Sequence, residues 1–254
     1  MSLNLANFFE KKGYLENYQN YQISSLDYTV ARNALLSDNN AFFFNGMVSL
    51  ASSINSLNKS NYSWAFIQSY YSLFYLARAF NGINNYGLVY IKGKPFGINI
   101  QPSEKFIKLK GNSHDVVFKQ FKKHFANDIL LKTSIEELSP IDWFNNKRNH
   151  INYTLNPFTD PNPPISLFKY NSDIRNWIVN YTNDSSHTYT FDPKHCFIAY
   201  PIQLFNRLFS YYTNNGLTNP YINDENIIFF KNNISDNKGP ITSFIARIIE
   251  MKPD

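Results

Sequence analysis

The sequence predicts a mainly α fold: a helical bundle with a small β-hairpin insertion and an additional C-terminal helical region. Three observations carry this expectation. Between residues 62 and 80 the apolar residues form two adjacent stripes at helical spacing. Phe66, Tyr70, Leu73, Ala77 and Phe80 make one; Trp64, Ile67, Tyr71 and Phe74, ending on Arg78, make the other. A strand–turn–strand pattern occurs where Leu88–Ile91 and Phe96–Ile100 flank Lys92-Gly93-Lys94-Pro95. A chain of 254 residues, 43% hydrophobic and 17% aromatic, is also long and apolar enough to bury a large core.

The elements follow in order. Residues 1–25 are polar and Tyr-rich, with Gly13 as a breaker. A short helix is expected over Asp27–Leu36. Asp38-Asn39-Asn40 then offer capping side chains to a second helix over Ala41–Leu57. The striped helix runs from Tyr62 to Phe80 and is closed by Asn81-Gly82. Only Gln68, Ser69 and Ser72 give it a polar strip, which makes it central to the bundle. Arg78, a cation on an apolar stripe, requires a carboxylate, a carbonyl or a phosphate. After the hairpin, Val116, Val117, Phe121 and Phe125 have helical spacing over Asp115–Phe125, with Lys119, Lys122 and Lys123 on the outer face. Those lysines are either a solvated face or a face that tracks phosphates.

Ser139 and Pro140 suit the cap and first turn of a helix running through Trp143 and Arg148 to Leu155. Pro157, Pro161, Pro163 and Pro164 then enforce extended chain and mark a boundary. Beyond it, helices are expected over Asp173–Tyr181, Phe197–Tyr212, Asp224–Asn232 and Ile241–Met251, and a strand over His187–Phe191. The organisation read this way is an N-terminal extension (1–40), a helical core (41–156) and a C-terminal helical region packed on the core (157–254).

Composition excludes several classes of function. The net charge of +5 favours a polyanionic partner, though mildly. Cys196 is the single cysteine, so no internal disulfide forms and no zinc quartet exists; both suit a reducing cytosol. The N-terminus lacks the basic start and apolar run of a signal peptide. Nor does any run of about 18 apolar residues occur, which argues against a membrane span. The expectation is a soluble, cytoplasmic protein. Phosphate-binding Gly-rich loops and the Gly-X-Ser-X-Gly elbow are absent. His187, His195 and Cys196 lack zinc-ligand spacing, and adjacent His195 and Cys196 diverge too far for a nucleophilic pair. No metal and no cofactor is called for.

Functional groups are densest at Lys147–Tyr153, reading Lys-Arg-Asn-His-Ile-Asn-Tyr. On a helix, at about 100° per residue, Arg148 and Asn152 share a face while His150 points nearly opposite.

Ser69-Tyr70-Tyr71-Ser72-Leu73-Phe74-Tyr75-Leu76-Ala77-Arg78-Ala79 resembles the second-helix signature of the HEPN superfamily, a tyrosine pair followed by an aromatic and Ala-Arg-Ala. His114, within Gly111-Asn112-Ser113-His114, resembles the His that precedes that family's third helix. Arg148-Asn149 falls where the family carries its Arg-polar motif. The resemblance spans about residues 41–156 and implies a HEPN-like helical bundle, commonly a homodimer. The family includes metal-independent RNases of toxin–antitoxin, CRISPR and other anti-phage systems. In active members an Arg and a His a few residues apart meet across the dimer interface. There the RNA 2′-hydroxyl attacks the adjacent phosphate, Arg stabilises the charge and His moves protons.

This chain departs from that pattern: Tyr153 to Leu155, where the His would fall, hold none. Three readings follow. In one, Arg148 works with His150 or Tyr153 as a degenerate catalytic set. In another, Arg148, Asn149 and Asn152 only bind, with Arg78, His114 and Lys147 as further nucleic-acid contacts. In the third, Arg148 pairs with an acid such as Asp142 and has no other role. The resemblance implies an RNA-directed effector, a metal-independent endoribonuclease of a prokaryotic toxin–antitoxin or anti-phage defence system, with RNA and an antitoxin or defence-system protein as partners and no membrane. The alternative is a non-catalytic HEPN-like subunit binding nucleic acid, a nucleotide or a partner protein.

Overall fold

A computed structural model of the chain describes residues 4–13, 15–16, 18–154, 157–162 and 173–253. The fold is mainly helical. The first elements are α1 (Asn4–Lys11), α2 (Ser25–Asn58), α3 (Tyr62–Ile83), β1 (Tyr86–Ile91), β2 (Lys94–Asn99), β3 (Ile107–Lys108) and α4 (Ser113–His124). They are followed by α5 (Ile129–Lys132), α6 (Pro140–Asn149) with a π-helical turn at His150–Thr154, α7 (Ile174–Thr182), α8 (Cys196–Asn214), α9 (Asp224–Asn233), the pair β4 (Ser235–Asp236) and β5 (Gly239–Pro240), and α10 (Thr242–Glu250). No helix among the described residues is long and apolar enough to cross a membrane.

The chain divides into two compact units, each discontinuous in sequence. The first is Met1–Phe43 with Ala77–Ala126; the second is Phe44–Leu76 with Asn127–Asp254. α2 and α3 each contribute residues to both units. Of the prolines read as a boundary, Pro163 and Pro164 lie outside the described residues.

In the first unit β1, β2 and β3 form an antiparallel sheet in that order, with Tyr86 opposite Asn99 and Ile91 opposite Lys94. Lys92 and Gly93 close the hairpin, both at positive φ (50° and 74°), which suits the twist of a two-residue turn. Leu5 and Phe9 of α1, Ala31 and Leu35 of α2, and Val89, Ile91, Phe96 and Ile98 of the sheet form the core.

The break expected within 25–58 is absent, and α2 is one helix of 34 residues. Asp38 spends its capping capacity on α1 instead: its carboxylate accepts from the backbone N–H of Asn4 (2.8 Å) and Leu5 (3.0 Å). Likewise α3 continues past Asn81-Gly82. The Asn81 amide donates to Val117 O at 3.1 Å. Gly82 serves close approach rather than termination, since a Cβ there would sit 1.8 Å from Asn39 Oδ1. Asn39 is 1% exposed and cannot swing away. Gly82→Ala is therefore expected to destabilise by about 1–3 kcal/mol through overpacking, although Ala would otherwise favour the helix by about 1 kcal/mol. A fall in urea midpoint at unchanged m-value checks it.

In the second unit Phe66 of α3 stacks on Phe197 of α8 (5.9 Å, 19°) and touches Trp143 and Phe144 of α6. In the polar strip of α3, Ser69 and Ser72 are buried and Gln68 is half-buried. Ser72 Oγ donates to Gly46 O, Ser69 Oγ donates to Phe197 O, and Gln68 Oε1 accepts from Ser56. No strand forms at His187–Phe191. The Asp184 carboxylate gathers the N–H groups of Thr188, Tyr189 and Thr190 at 2.9–3.0 Å and bends that segment into turns.

Arg175 reaches from α7 to the β4–β5 hairpin. Two of its nitrogens meet the Asp236 carboxylate (3.0 and 2.6 Å), and it donates to the carbonyls of Gly239 and Pro240. Hydrogen bonding from Arg175 holds the Asp236 carboxyl below its ordinary 3.8. A depressed carboxylate contributes stability that is full above the unfolded value near 3.8 and lost as pH falls through the folded value. Asp236→Asn is thus expected to flatten the acid limb of the stability–pH curve below about pH 4, measured by chemical denaturation at stepped pH.

Candidate functional site

α6 begins at Ser139, whose hydroxyl accepts from the Asp142 backbone N–H at 3.2 Å, and Pro140 occupies the first turn. Trp143 and Phe144 are fully buried and fix which face of the helix turns inward. Lys147 and Arg148 are left partly exposed, with Asn149 exposed. Lys147 Nζ lies 3.5 Å from Glu136 and 5.4 Å from the Trp143 ring centre, and Glu136 also accepts from Trp143 Nε1 at 2.8 Å.

The Arg148 guanidinium lies between two phenol rings, 5.2 Å from the centre of Tyr70 and 5.8 Å from that of Tyr153. Its Nη1 donates to Asn149 Oδ1 at 3.1 Å, while its Nε is buried and meets no acceptor. Tyr70 is held in turn by its hydroxyl, which donates to Asn145 Oδ1 at 3.0 Å. Among the described residues Arg148 makes no ion pair. Asp142, the acid expected to hold it in a purely structural role, accepts from Ser139 at the helix start.

The π-turn explains which neighbour Arg148 acquires. Hydrogen bonds from i to i+5 wind an extra residue into the turn, so Tyr153, five positions on, comes beneath Arg148 in place of Asn152. Asn152 is exposed. His150 is exposed as well and neither hydrogen-bonds nor stacks with Arg148.

Arg78 and His114 belong to the first unit. Arg78 sits 4.0 Å over the Phe42 ring. Burial pushes the neighbouring Asp38 carboxyl up from its ordinary value, against the pull of hydrogen bonds from Leu5 and Asn4 and of the Arg78 charge. The cation on the apolar stripe thus has internal company. His114 stands in the first turn of α4, inside a capping box made by Asn112 and Asp115.

No protein-family model, curated protein or solved structure matches this chain.

The chemistry must come from the side chains themselves. Arg148 offers a planar, permanent cation, which suits a phosphate oxygen. Tyr153, 75% exposed, offers a ring on which a base can stack. Sequence reasoning missed Tyr70 and Asn145. Tyr70 was legible as a core stripe residue and as one of the tyrosine pair in the HEPN-like signature; its position one turn from Phe66 gives no sign that its ring face meets a cation. Elsewhere, His195 Nδ1 pairs with the Tyr181 hydroxyl at 2.6 Å, and burial pushes the Cys196 thiol well up, so no thiolate nucleophile arises there. Among the described residues no three His, Cys, Asp or Glu side chains gather as a metal would require.

Proposed function

We propose that this protein is a HEPN-like, RNA-directed effector that grips single-stranded RNA at Arg148. The observation that supports this reading is a guanidinium flanked by Tyr70 and Tyr153 that makes no ion pair among the described residues. Arg148 takes the phosphate and Tyr153 stacks the adjacent base, with Asn149 and Asn152 at the edge. Binding is favoured over cleavage within one copy, because no imidazole contacts Arg148 to move the 2′-hydroxyl proton.

A cleaving version has one observation in its favour: His150 is exposed and reachable by a second copy of the chain. A homodimer that brings His150 of one copy to Arg148 of the other would complete the Arg–His set. The setting in toxin–antitoxin or anti-phage defence, with an antitoxin or defence-system partner, rests on the sequence resemblance. Incubation of the purified protein with RNA in EDTA separates the two. Retention without cleavage, weakened by Arg148→Ala, supports the binding reading. Cleavage lost in both Arg148→Ala and His150→Ala supports the enzyme. RNA behaviour unchanged in Arg148→Ala sinks both.

A further inference from the structure

The first unit contains a pocket of about 330 Å³ between β2 and α4. It exists because of local sequence choices. Gly97 of β2 lets α4 come close: a Cβ there would stand 2.3 Å from the Gln120 amide nitrogen. Ile98, Leu109 and Val116 give the pocket apolar walls. At one end the Tyr86 and His124 rings stack at 3.5 Å and 15°. Burial, then the charge of Lys123, holds the His124 imidazole below its ordinary 6.5, so this end is a neutral aromatic face at neutral pH.

The rim is cationic. Lys119 and Lys123, four residues apart on α4, both line the pocket, and Lys110 joins them with Glu104 as the one carboxylate. Like charges at this spacing repel across a helix turn. Among the described residues none of these three lysines makes an ion pair; Lys119 Nζ meets only the Lys110 carbonyl, at 3.4 Å. Asn99 also lines the pocket.

We propose that this pocket binds a nucleoside phosphate, with the phosphate on Lys110, Lys119 and Lys123 and the base between the apolar walls, beside the stacked Tyr86 and His124 rings. The volume lies at the small end of the range for ligand sites, about 300–1,000 Å³, which fits one nucleotide and excludes a duplex. The site shares no residue with the Arg148 site and stands or falls separately from it.

Titration calorimetry on the full chain tests the assignment with AMP, ADP, ribose 5-phosphate, inorganic phosphate and a 5′-phosphorylated RNA oligonucleotide. A nucleotide is expected to bind roughly tenfold or more tighter than ribose 5-phosphate or phosphate, the scale of burying one face of the base against the apolar walls. The exposed double change Lys119→Glu/Lys123→Glu is expected to weaken it by roughly tenfold or more, while the charge-matched Lys59→Glu/Lys231→Glu does not. An oligonucleotide that outbinds AMP with the same lysine dependence supports the same chemistry and assigns it to a strand end. No binding by either nucleotide or oligonucleotide, phosphate alone binding as tightly as AMP, or insensitivity to Lys119 and Lys123 each overturns the proposal.

Discussion

Arg148→Ala is expected to weaken RNA retention by the purified protein roughly 10- to 100-fold, the equivalent of one or two charged hydrogen bonds. The melting temperature should hardly move. Arg148 is partly exposed and makes no ion pair among the described residues, so its removal orphans no buried carboxylate. What is lost is an exposed hydrogen bond to Asn149 and two cation–π contacts, to Tyr70 and Tyr153, each of the latter on the order of 0.5–1 kcal/mol at an exposed site. Against this, the buried Nε without an acceptor disappears, which offsets part of the loss.

Arg148→Lys separates charge from shape. An ammonium keeps the Coulombic attraction but lacks the planar fork that stacks between rings, so its affinity should fall between those of the native chain and the alanine variant. The slope of log affinity against log salt should drop by about one in Arg148→Ala and stay close to native in Arg148→Lys. Tyr153→Ala should reduce affinity by about 1–3 kcal/mol if a base stacks there. Filter binding of a labelled single strand across a salt series reads all three. Equal slopes and affinities for native and Arg148→Ala would remove the RNA reading of this site.

The mainly helical fold was legible because its signal is periodic. The stripes of α3, α4 and α8 repeat at helical spacing, and the Lys92-Gly93 turn announces the hairpin. What misled the reading were short polar side chains that act at a distance. Asp38-Asn39-Asn40 has the composition of a cap, yet Asp38 caps α1, which is far away in sequence. Asn81-Gly82 has the composition of a stop, yet Asn81 bonds to α4 and Gly82 makes room for Asn39. His187–Phe191 has strand-like alternation, yet one carboxylate, Asp184, gathers its N–H groups into turns. A pattern reader sees these residues' local preference; the fold uses their long-range hydrogen bonds. The same limit applies at Arg148. Its residue type was readable as a phosphate contact, but the face assigned to its neighbours assumed α geometry throughout. The π-turn at His150–Thr154 shifts that register and substitutes Tyr153 for Asn152.

Ser69→Ala is expected to destabilise the second unit by about 0.5–1.5 kcal/mol, the net worth of one buried hydrogen bond. Inside α8, Pro201 has no N–H to give to the carbonyl four residues back, which is Phe197 O. Phe197 is fully buried, so water cannot serve that carbonyl. Ser69 Oγ on α3 donates to it instead. The hydroxyl thus repairs a fault that proline creates in a different helix, and the repair makes a testable coupling. Pro201→Ala restores the backbone donor, so Ser69→Ala should cost much less in that background. The double-mutant cycle should show a coupling of about 1 kcal/mol or more, beyond the roughly 0.5 kcal/mol within which independent sites add. Urea unfolding of the four proteins measures it, and additivity within that margin would refute the repair. Ser69 also precedes Tyr70, whose ring faces Arg148. The bond that completes α8 therefore anchors α3 one residue from the ring beside the guanidinium, so Ser69→Ala should also loosen RNA retention, by less than Arg148→Ala does.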